Sequence, residues 1–125
     1  MICLDTHIFV WLYAGARDKF SAKTIDILNN NDLKISPIVM LETQYLYEIK
    51  RIQYPAQQLY EDLHLRLGVT LDASDLVAIT QNALSLSWTR DPFDRLIVAH
   101  AITLSAPLLT ADSVILQHHA AAIWD

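Results

Sequence analysis

Thr89-Arg90-Asp91-Pro92-Phe93-Asp94-Arg95 opens a nearly all-apolar stretch to Leu104, and Pro107-Leu108-Leu109-Thr110-Ala111-Asp112 follows. Asp91-Pro92 is a helix start: aspartate suits the N-cap, and proline suits the first helical position, where its missing N–H costs nothing. The helix that follows, to about Leu104, is apolar all round, as a buried helix is. It feeds a short apolar strand at Pro107–Thr110. A buried helix leading into a buried strand is the unit of a parallel sheet covered on both faces.

The same unit recurs in both directions along the chain. Ile2-Cys3-Leu4 reads as a buried strand stopped by Asp5, with Thr6 to Tyr13 as a helical turn packed on it. Ser21 is an N-cap for a helix over 22–30, and Leu33-Lys34-Ile35 is a second strand. Ser36-Pro37 opens a helix over 37–51. Tyr54-Pro55 opens another to Leu67, which Gly68 ends. Val69-Thr70-Leu71 is a third strand, and Ser74 or Asp75 begins a helix to about Leu84. Asp112 caps a short helix, and Ala121 to Trp124 can form a last strand. The expectation is one α/β domain over residues 1–125 with a mainly parallel sheet of four to five strands.

Composition narrows the function. The chain has 125 residues, 53% of them hydrophobic and only 18% charged, which excludes a disordered chain. Its longest apolar run, Ile8 to Ala14, is far short of the roughly 20 residues that span a bilayer. With no basic leader before the first apolar run and one cysteine, Cys3, a reducing cytoplasmic setting and a buried inert thiol are expected. So few charges on a small domain leave apolar surface for a partner or a second copy. The net charge of −5 argues against a simple electrostatic nucleic-acid binder. It leaves room for an enzyme that meets phosphates through bound cations.

In open parallel sheets, ligands bind beyond the carboxyl ends of the strands. Acids gather there. Asp5 ends the first strand, Glu42 interrupts an apolar helix after the second, Asp91 and Asp94 open the buried helix, and Asp112 follows the fourth strand. Each also has a plain structural reading: a turn for Asp5, an exposed helix face for Glu42, a cap for Asp91 or Asp112, and a first-turn charge for Asp94. Converging carboxylates repel one another unless a cation arrives. Mg²⁺ takes oxygen ligands, and a cation pair can activate water and stabilise the leaving oxygen of a phosphodiester.

The stretch Thr89 to Ala101, with Leu4-Asp5-Thr6, Ser36-Pro37 to Glu42 and Leu109-Thr110-Ala111-Asp112 around it, resembles the signature of PIN-domain proteins of the VapC-like toxin type. The resemblance covers essentially the whole chain in order and spacing. It implies a PIN-like three-layer α/β/α sandwich and a metal-dependent endoribonuclease. Its acidic quartet maps onto Asp5, Glu42, Asp94 and Asp112, with Asp91 as the helix cap. It also implies Mg²⁺ or Mn²⁺ as cofactor, RNA as substrate, a cognate antitoxin and a homodimer. Many relatives carry histidine where this chain has Thr89.

Around the acids, Thr6 and Thr110 are candidates to orient a carboxylate, and Arg90 and Arg95 to contact RNA phosphates. His100, in an apolar run, reads as a core histidine. Tyr45, Tyr47, Tyr54 and Tyr60 offer a dimer or antitoxin face. Other acidic α/β classes fit poorly. A receiver domain needs a lysine after its last strands, and the last lysine here is Lys50. The glycines of a P-loop or dinucleotide site are missing, since only Gly15 and Gly68 are present. The remaining rival is a non-catalytic binding module of the same fold.

Overall fold

A computed structural model describes residues 1–125. Five strands form one sheet: β1 (Ile2–Leu4), β2 (Leu33–Ile35), β3 (Thr70–Leu71), β4 (Leu108–Leu109) and β5 (Ala122–Ile123). Their order is β3-β2-β1-β4-β5 and every pairing is parallel. Seven helices cover the sheet: α1 (Thr6–Ala14), α2 (Ala22–Asn29), α3 (Pro37–Glu48), α4 (Ala56–Leu67), α5 (Leu76–Ala83), α6 (Pro92–Thr103) and α7 (Ser113–His118). This is the expected α/β/α sandwich.

The central strands are short and apolar because both of their faces are buried, while β3 and β5 at the sheet edges are more open. Ile2, Leu4, Ile35, Leu108 and Leu109 are all within 1% of complete burial. From β1 the chain builds outward to β2 and β3, then returns to the other side of β1 for β4 and β5. That reversal opens a crevice between the carboxyl ends of β1 and β4, which is where such sheets bind ligands. Asp5 follows β1 directly and Asp112 lies three residues past β4.

Local capping fixes the helix starts. Ser21, Ser36, Asp75, Asp91 and Asp112 each accept a backbone N–H from the first turn of the helix they precede. Two details differ from the sequence reading. Thr6 to Tyr13 is part of a nine-residue helix rather than a single turn. The helix from Pro37 stops at Glu48 instead of 51, because Lys50 turns into the left-handed region (φ 64°) and the Arg51 N–H bonds back to the Leu46 carbonyl.

No helix is long and apolar enough to cross a membrane. Gly68 ends α4 at φ 70°, and its N–H bonds the His64 carbonyl. A methyl group there would meet open space, so any cost lies in the backbone alone. Gly68→Ala should therefore lower unfolding free energy by about 1 kcal/mol, read as a shifted urea midpoint with unchanged slope.

Candidate active site

Asp5 is 4% exposed, and both of its oxygens are engaged. Oδ1 accepts the Thr6 N–H at 2.7 Å, and Oδ2 accepts the Thr110 hydroxyl at 2.6 Å. Burial, above all, pushes its carboxyl above the usual range. The Thr110 and Thr6 donors pull against this, and the charge of Asp112 adds to it. Glu42, half-buried in the second turn of α3, accepts the Thr6 hydroxyl at 2.5 Å. It too is raised, by burial first and by the charges of Asp5 and Asp91, with the Thr6 bond opposing.

Asp112 caps α7 by accepting the N–H groups of Val114 (2.8 Å) and Ile115 (3.1 Å), while its own N–H donates to Thr110 Oγ1 at 3.1 Å. The two threonines therefore make a continuous run: Glu42 to Thr6, along the backbone to Asp5, then Thr110, then Asp112. Fully buried Thr6 and Thr110 hold acids from three different segments in one register.

Asp94 stands outside this run. It lies in the first turn of α6 and is pushed up to about 7. Burial is the largest cause, followed by the charges of Asp91, Asp5, Asp112 and Glu42. No hydrogen bond relieves it. All four acids named from the sequence are thus in mutual electrostatic reach. No three His, Cys, Asp or Glu side chains gather closely enough in this arrangement to enclose an ion. The donor set is nonetheless all carboxylate oxygen, which suits a hard divalent cation. An acid held near neutrality by its neighbours' charge is what such a cation would relieve.

The other candidates separate cleanly. Asp91 is exposed and caps α6 through the Phe93 N–H at 2.9 Å. Thr89 Oγ1 accepts the Asp91 N–H at 3.2 Å. The Arg90 side chain is exposed. Arg95 donates to the Ala83 carbonyl (3.1 Å from Nη2) and to that of Leu84 (3.2 Å), so it closes the C-terminal end of α5. His7 was given no role from the sequence. It is exposed in the first turn of α1, and its charge favours ionisation of both Asp5 and Glu42. Its place two residues after the strand-end acid was the available signal.

Cys3 is buried as expected, and burial, with Asp72 adding to it, pushes the thiol up to about 11. A cavity of about 430 Å³ lined by Trp11, Phe20, Ile25, Leu28, Leu33 and Arg66 contains none of the four acids.

Comparison with known proteins adds three findings. Residues 2–121 match the PIN domain family. Ribonuclease VapC22 of Mycobacterium tuberculosis is 33% identical over 123 residues, covering 94% of this chain and 91% of that protein. In fold, the chain is similar to solved structures of VapBC2 from Rickettsia felis, bound to a DNA fragment from their promoter, and of VapBC-1 from nontypeable Haemophilus influenzae. Both have TM-scores of 0.69. Identities are 24% and 20%, with 100% of this chain covered in each case, against 98% and 97% of the other chain.

The raised acid sets a pH dependence. An aspartate whose folded-state pKa lies above its unfolded value binds its proton more tightly when folded. Its stabilising contribution is complete below the ordinary aspartate range and is lost as pH rises through about 7. In chelator, thermal unfolding should therefore occur at a lower temperature at pH 8 than at pH 5.5. Asp94→Asn should raise the midpoint at pH 8 and flatten the difference. An unchanged midpoint at pH 8 would contradict the crowding of charge described here.

Proposed function

The chain belongs to the PIN domain family, and on that premise we propose that it is a metal-dependent endoribonuclease, the toxin of a toxin–antitoxin pair. What supports this is the hydrogen-bonded run from Glu42 through Thr6, Asp5 and Thr110 to Asp112 beyond the ends of β1 and β4, beside an Asp94 that burial and the charges of Asp91, Asp5, Asp112 and Glu42 push up to about 7. Its likeness to a named ribonuclease over nearly its full length supports the activity.

In this reading, the four acids would hold one or two Mg²⁺ or Mn²⁺ ions. When bound, such an ion brings positive charge to an acidic surface, polarises the phosphodiester and acidifies an attacking water. The chain's own residues do the rest. Thr6 orients Glu42 and, through its N–H, Asp5. Thr110 orients Asp5 and Asp112. Asp91 fixes the first turn of α6 and so the direction of Asp94. Arg90 is free to contact an RNA phosphate, whereas the Arg95 guanidinium is committed to α5 carbonyls.

A cytoplasmic setting, a cognate antitoxin and a homodimer complete the proposal, with residues 1–125 acting as one domain. Exposed Leu41, Tyr45, Tyr47 and Tyr54, and Leu76, Val77 and Leu84 on and just after α5, supply apolar surface for such partners. The rival, a non-catalytic binding module, draws on one observation: Asp5, Asp91 and Asp112 all serve as helix caps.

Incubation with total RNA decides between them. Cleavage should appear with Mg²⁺ or Mn²⁺ and stop with chelator, and Asp5→Asn or Asp94→Asn should reduce kcat on the order of 10²–10³-fold. Folded protein that leaves RNA intact in every metal condition would establish the binding module. Arg90→Ala should raise KM and reduce the slope of log affinity against log salt by about 0.7 on single-stranded RNA.

A further inference from the structure

His100 is completely buried in the last turn of α6, among apolar neighbours. Its ring bridges two other segments. Nε2 lies 2.9 Å from Asp72 Oδ2, and Nδ1 lies 3.9 Å from the Cys3 sulfur. With its proton on Nε2, the ring donates to Asp72 and presents its Nδ1 lone pair to the thiol. Asp72 is anchored in turn. Its Oδ2 accepts the Ser74 N–H at 2.9 Å and the Ser74 hydroxyl, and its own N–H donates to the Ile35 carbonyl at 3.0 Å.

These contacts coincide with the segments that carry the acids. Cys3 lies two residues before Asp5 on β1. Ile35 ends β2, one residue before the Ser36 cap of the helix that bears Glu42. His100 shares α6 with Asp94, six residues or roughly 9 Å along the axis. Apolar packing of Ile97, Val98 and Ala101 holds α6 on the sheet, but it is non-directional and names no single partner for the helix. Hydrogen bonds are directional, and a fully buried imidazole is costly unless it is paired. An apolar side chain would fill the same space with no such demand.

We propose that His100, hydrogen-bonded to Asp72 and touching Cys3, is a positioning residue that fixes how far α6 is advanced over β1, and thereby the separation of Asp94 from Asp5. The proposal rests on the metal-site reading above and assigns no contact between His100 and substrate or ion. Asp72 is its working partner, and the pair acts as a strap between α6 and the β2–β3 edge.

The test is Mn²⁺ binding to the whole chain, read from the electron paramagnetic resonance signal of free Mn²⁺, alongside the thermal midpoint in chelator. His100→Leu should fold and bind Mn²⁺ about tenfold more weakly. His100→Gln, whose amide can still donate to Asp72, should stay within about threefold of the wild type. Asp72→Ala removes the acceptor altogether, which an asparagine would not; it should weaken binding several-fold, and it stands in if His100→Leu does not fold. Combined with His100→Leu it should add nothing, because the two changes break one interaction.

A folded His100→Leu, or failing that Asp72→Ala, with wild-type Mn²⁺ affinity overturns the strap. So do losses that simply add. A wild type that binds Mn²⁺ but leaves RNA intact sinks the nuclease reading while the strap stands or falls on the variants. A wild type that takes up no Mn²⁺ sinks both the metal centre and the strap's role in it.

Discussion

Like charges held together in a half-buried crevice are the constraint on which this structure turns. Asp5, Glu42, Asp94 and Asp112 arrive from four separate segments, and folding brings the charges of the other three within reach of Asp94 although no three of the side chains gather closely. Asp94 carries the consequence: burial first, then the neighbouring charges, push its carboxyl up to about 7 with no donor to compensate. Hydrophobic packing of the strands and α6 is what overrides that repulsion. A fold without a task for these acids would relax by dispersing or replacing them.

Capping and chemistry are served by the same atoms. Asp5, Asp91 and Asp112 each begin a helix, and Asp5 and Asp112 do so at the carboxyl ends of β1 and β4. In a parallel sheet that edge is also where ligands bind. A structural reading and a functional reading of one aspartate are therefore not exclusive: the cap sets the orientation that a ligand-holding oxygen needs.

Much of the fold was legible because its signals are local. Ser36-Pro37 and Asp91-Pro92 mark helix starts that are satisfied within two residues, and Gly68 marks a stop that needs a left-handed residue. The end of α3 was not legible, since the residue that turns left-handed there is Lys50, which carries no such signal. Asp5 and Asp112 stood out by their place after strands, whereas Asp94 was separated from Asp91 only by the family resemblance. The bond from Thr6 to Glu42, across 36 positions, was not legible. Nor was the diversion of Arg95 to α5, which depends on where one helix end lies beside another. His100 was readable as a core histidine from its apolar neighbours, but its partner Asp72, 28 positions away, left no trace in the sequence.

The threonine run has a consequence for how this pocket can change over generations. Thr6 serves Glu42 and Asp5, and Thr110 serves Asp5 and the Asp112 backbone, so the two threonines are linked through Asp5. Loss of one link leaves its neighbour with an unanswered lone pair or an idle hydroxyl, which devalues the next link. Changes at Thr6 and Thr110 are therefore coupled, and the cost of altering one depends on whether the other is still in place.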